Sequence, residues 1–84
     1  STIADSLNPY WQSQILERKA DNSKEALANQ LMEEGVKQCS GSEFKAALQS
    51  FQQALKIYQE LQDRYGENKA LGSLGNTYYA AGNY

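Results

Sequence analysis

Shifted by forty residues, this chain falls on itself: Leu31 lands on Leu71, Gly35 on Gly75 and Phe44 on Tyr84. A repeat of that length is one supersecondary unit that cannot bury its apolar face alone, so successive units must stack. The unit is helical. From Tyr10 to Glu34 neither glycine nor proline occurs, and Ala, Leu, Gln, Glu and Lys, all good helix formers, dominate. Nothing alternates with period two over a useful length. The fold class read from these features is all-α: antiparallel helix-turn-helix repeats, a fragment of an α-solenoid, behind an N-terminal helical extension.

Asn8-Pro9 forms a good helix start, with Asn8 as cap and proline where no donor is needed. Trp11, Ile15 and Leu16 come next as a short apolar stripe. Asn22 and Glu25 have capping-box spacing, so a second helix can begin there, with Leu27, Leu31, Met32, Val36 and Cys39 along one face. One continuous helix from Pro9 to Cys39 is equally open, because no breaker separates the two. Ser40-Gly41-Ser42 is the first clear break, and Ser42 is placed to cap the next helix. Phe44, Ala47, Leu48, Phe51, Ala54, Leu55, Tyr58 and Leu61 then recur at spacings of three and four, the strongest amphipathic stripe in the chain. A second break falls near Gln62-Asp63, where Asp63 can cap a helix through Leu71, Leu74, Tyr78 and Ala81; Gly66 is an alternative end for the preceding helix.

Charge and composition exclude much chemistry. Eight basic and ten acidic residues give a net charge of −2, without a long block of one sign, which argues against a nucleic-acid partner. The chain has no histidine and one cysteine, so zinc patterns, Ser-His-Asp triads and Cys-His dyads cannot be assembled. No catalytic residue, metal ligand or cofactor is expected. The longest apolar runs are too short to span a membrane, and no signal peptide is visible. Glu33 and Glu34 point about 100° apart on a helix, and they read as a solvated face, as do Glu60 and Asp63. Cys39 lies on an apolar stripe without a basic neighbour and reads as a small core or groove residue.

The segment Leu71-Gly-Ser-Leu74-Gly75-Asn-Thr-Tyr78 resembles the first helix of a tetratricopeptide repeat, with leucine in place of the usual leading tryptophan, and Ala47-x3-Phe51-x2-Ala54 resembles its second helix. The physical reading is packing: Gly75 admits a close helix, Ala47 and Ala54 accept large neighbours, and Phe51 fills the gap between helices. The likeness is to the long-repeat branch, as in kinesin light chains, spindle-orientation adaptors of the Pins class and bacterial arrays joined to CHAT protease-like domains. It divides the chain into a capping extension (1–27), a first repeat (28–67) and the first half of a second (68–84). Repeat one carries Glu34 and Gln38 where repeat two has Leu74 and Tyr78, which fits a terminal unit whose remaining apolar edge Trp11, Ile15 and Leu16 would cover.

The resemblance implies a non-catalytic scaffold or adaptor that binds a protein or peptide in a concave groove. Its candidate contacts are Asn29, Met32, Val36 and Cys39 from repeat one and Lys69, Gly72, Asn76 and Tyr79 from repeat two. Asn76, one residue after the motif glycine, is the best candidate to hold a peptide backbone, since an amide both donates and accepts; the plain alternative is a solvated polar residue. Tyr58 and Tyr78 read as packing residues and Tyr79 as exposed. A different class stays open. The helix carrying Leu71, Leu74 and Tyr78 has one apolar face left over, which predicts a homodimer, either face to face or by exchange of the last helix about residues 62–66.

Overall fold

The computed structural model describes residues 9–82, and these form three helices without a strand. They are α1 (Pro9–Ser40), α2 (Phe44–Glu60) and α3 (Arg64–Ala80). The expectations placed on Asn8, Asn83 and Tyr84 lie outside the described residues.

Helix α1 is continuous through Asp21-Asn22-Ser23, which decides between the two alternatives for residues 9–39. Inside a helix every N–H already has its carbonyl four residues back, so the Asn22–Glu25 capping pair has no orphan donor to satisfy. The helix is therefore about 48 Å long at 1.5 Å per residue. From Pro9 to Leu27 none of its residues is buried. Trp11, Ile15 and Leu16 stay exposed instead of covering an apolar edge of the repeat, because the first half of α1 projects beyond the other helices.

Both breaks are three residues long and share one hydrogen-bond pattern. Ser42 and Glu43 N–H donate back to Cys39 and Gln38 carbonyls at 3.0 and 2.8 Å; Gln62 and Asp63 N–H donate to Gln59 and Tyr58 carbonyls at 3.1 and 2.9 Å. This is the Schellman closure, which needs a left-handed residue just past the helix. Ser42 (φ 61°) and Gln62 (φ 57°) fill that place, and Gly82 (φ 81°) does so twenty positions after Gln62. Ser42 is thus spent in closing α1 and is not the cap of α2. That position falls to Glu43, whose side chain makes no capping bond. Asp63 caps α3 as expected, its Oδ1 accepting from Gly66 N–H at 3.0 Å.

Turns this short make consecutive helices antiparallel, and the cross-links run accordingly. Ser50 Oγ donates to Gln38 Oε1 at 2.6 Å, while eight residues further along α2 the Tyr58 hydroxyl donates to Asn29 Oδ1 at 2.6 Å. Helix α2 sits between its neighbours and supplies most of the core: Ala47, Ser50, Phe51, Ala54 and Tyr58 are buried, joined by Ala28 and Met32 of α1 and Ala70 and Thr77 of α3. Its aromatic rings seat on glycines. Phe51 lies so close to Gly35 that a Cβ there would sit 2.5 Å from the ring, and Tyr58 covers Gly66 in the same way. The close approach expected at Gly75 is absent among the described residues: a Cβ added there would have no atom of another element within 4 Å.

Candidate functional site

Helices α1 and α3 are held apart by α2 and touch each other only sparingly. The space between them is a groove of about 780 Å³. Helix α1 contributes Glu25, Asn29, Met32, Glu33, Val36 and Lys37 as one wall. Helix α3 and its cap contribute Asp63, Tyr65, Gly66, Lys69 and Ser73 as the other, and Tyr58 of α2 forms the floor. A smaller hollow of about 200 Å³ continues toward the helix ends, lined by Cys39, Phe51, Asn76 and Thr77; Val36 and Ser73 belong to both, so the two run into one another.

The floor is apolar and the rim is charged in both signs. Met32 is buried, and the Tyr58 ring is covered by Gly66, leaving its hydroxyl to reach Asn29. Burial, then the Asp63 and Glu25 carboxylates, push the Tyr58 phenol above its ordinary pKa, so it is a neutral donor across the physiological range. Lys69 Nζ stands 5.7 Å from the Tyr65 ring centroid, which holds one cation at the rim. In the smaller hollow Thr77 Oγ1 donates to the Ser73 carbonyl at 2.7 Å and lies 3.9 Å from Cys39 Sγ.

Of the residues expected to bind a partner, Asn29, Met32, Val36 and Lys69 line the large groove, and Cys39 and Asn76 line the hollow beside it. Gly72 and Tyr79 line neither: Gly72 has open space around it and Tyr79 is exposed. The physical reason is helical direction: at 100° per residue Gly72 and Tyr79 are turned about 100° and 120° away from Ser73, which lines the groove. The α3 wall is instead its flank nearest α1, where Gly66, Lys69 and Ser73 recur at spacings of three and four. Among the groove residues that were not expected, Tyr58, Ser73 and Glu25 stand out. The spacing of Gly66, Lys69 and Ser73 could have found the second of these.

Among the described residues no group of three or more Asp, Glu or Cys side chains is placed to hold a metal, and no helix is long and apolar enough to cross a membrane. No family model, curated protein or solved structure matches the chain.

Proposed function

We propose that this chain is a non-catalytic, tetratricopeptide-type interaction module that binds an extended peptide of a partner protein in the groove between α1 and α3. The observation that carries this reading is the groove's make-up: a floor of Met32 and Tyr58, with exposed Val36 on the α1 wall, beneath a rim with both carboxylates and ammonium groups. A peptide with small apolar side chains facing the floor and mixed charges along its edge matches that surface. Asn76 and Asn29 supply amides at two levels of the seam, suited to a peptide backbone. The forty-residue self-similarity, the paired Schellman ends and the ring-on-glycine contacts support a repeat architecture. A chain without histidine supports the absence of catalysis.

The test is a peptide array probed with the 84-residue chain and with Val36→Glu and Asn76→Ala. Both positions are exposed, so both variants should fold. Selective capture, weakened at least tenfold by each substitution, is the expected result. Capture unchanged in both would remove the groove as the binding surface.

A second reading, self-association, has its own observation. Leu71 and Tyr78 are exposed on the outer side of α3. Leu74, expected to share that role, is partly buried against the core, so it belongs to the fold more than to an interface.

A further inference from the structure

The charges that line the groove are sorted along it. Thr77 of α3 lies beside Cys39 of α1, its Oγ1 3.9 Å from Sγ. Both helices run antiparallel to α2, so they advance together at about 1.5 Å per residue. Counting back from that contact, Glu25 is level with Asp63, Glu33 falls between Lys69 and Ser73, and Lys37 falls between Ser73 and Asn76. One end of the groove therefore holds two carboxylates, one from each wall. In the middle, Glu33 on the α1 wall is answered by Lys69 on the α3 wall. At the other end Lys37 is the single charge, and the hollow beyond it is lined by no Asp, Glu, Lys or Arg.

The end charges are not neutralised within the fold. Among the described residues the side chains that form an ion pair are Lys24 and Glu60, at 3.8 Å, and neither lines the groove. Glu25 and Lys37 are exposed and form none. Asp63 uses Oδ1 to cap α3, which leaves Oδ2 to a ligand. Burial first, then the Asp63 and Glu25 carboxylates, raise the Tyr58 phenol, so both carboxylates stand near one neutral hydroxyl. A ligand of one charge sign throughout is repelled at one end of such a groove. A ligand with opposite charges at its two ends is attracted at both, and like-charge contact is the stronger source of discrimination.

The spacing of the two ends sets the length of the ligand. Glu25 and Lys37 are separated by about 18 Å along α1 at 1.5 Å per residue, which an extended chain covers in about five residues at ~3.3 Å each. Resting on the reading of this groove as the peptide site, we propose that it selects a dipolar segment of a partner protein. A basic side chain of that segment sits against Glu25 and Asp63, and an acidic one, about five residues away along the extended chain, sits against Lys37. The small apolar residues between them cross the floor of Met32 and Tyr58.

Calorimetric titration with short peptides, blocked at both termini, tests the proposal. The probes share an Ala/Val centre and differ at their ends: arginine and aspartate in either order, arginine at both, aspartate at both, or alanine at both. At least one of the two dipolar peptides should bind more tightly than the other three kinds. Lys37→Glu should weaken that peptide about fivefold or more, the worth of an exposed ion pair turned to repulsion, and should strengthen the peptide with arginine at both ends. Glu25→Lys should weaken the dipolar peptide as well. Lys56→Glu, exposed on α2 and lining neither groove nor hollow, makes the same change in net charge as Lys37→Glu and should leave binding as it was. Circular dichroism should show all three variants as helical as wild type. Equal binding of the alanine-ended peptide would overturn the charge selection and leave the groove as a peptide site; so would a preference unmoved by Lys37→Glu, or one weakened as much by Lys56→Glu. No binding of any of these peptides would overturn the selection and the peptide site together.

Discussion

Gly35 and Gly75 coincide when the sequence is shifted by forty residues, yet a methyl group would act oppositely at the two. At Gly35 it would press into the buried Phe51 ring. Overpacking of that kind costs about 1–3 kcal/mol, more than the roughly 1 kcal/mol of helix propensity that alanine returns. At Gly75 the methyl meets open space, and only the propensity gain remains. Thermal unfolding in dilute solution should therefore show Gly35→Ala less stable than wild type and Gly75→Ala more stable. The phenol of Tyr58 gives a second prediction. The folded state raises its pKa above the unfolded value and so holds the proton more tightly. Its contribution is complete below about pH 10, the ordinary tyrosine value, and is lost as pH rises through the folded value. Tyr58→Phe should lower stability by about 0.5–1.5 kcal/mol at neutral pH through the lost bond to Asn29, and should flatten the alkaline decline in a denaturant series.

At the level of the helices, the ends are better made in some places than in others. The Schellman position is glycine at residue 82 but serine at 42 and glutamine at 62, where a side chain in the left-handed region is strained. Ser42→Gly and Gln62→Gly should each stabilise the fold by up to about 1 kcal/mol, and the denaturation midpoint is the readout. Helix α2 was legible in the sequence because a 3.6-residue stripe with three aromatics admits one buried face, and the stripe residues Ala47, Phe51, Ala54 and Tyr58 are buried in the core. The continuity of α1 was not legible, since a polar segment without a breaker reads equally as a helix interior or as a cap. The mistaken cap at Ser42 had a related origin: the residue type suits both a cap and a turn, and only the closing bonds decide. The candidate groove was half legible for a different reason. Periodicity tells which residues share a face of one helix, but not which flank of α3 turns toward α1.

Across the whole molecule, burial is uneven along the chain. The arm from Pro9 to Leu27 has no buried residue, and most of a helix's stability in a protein comes from tertiary packing of a buried face rather than from propensity. Its amides should exchange with deuterium far faster than those of α2. Equal protection of arm and α2 would overturn this expectation. The contacts obey a simple order: α1 packs on α2 and α2 on α3, while α1 and α3 scarcely meet. Almost every native contact therefore closes a loop of only one helix pair, so the search during folding is short and low contact order favours fast collapse. Either hairpin can form first, and the other can zip onto it. Under load or heat α3, which packs mainly on α2, can peel away while the α1–α2 pair persists, so this chain has a built-in order of unravelling.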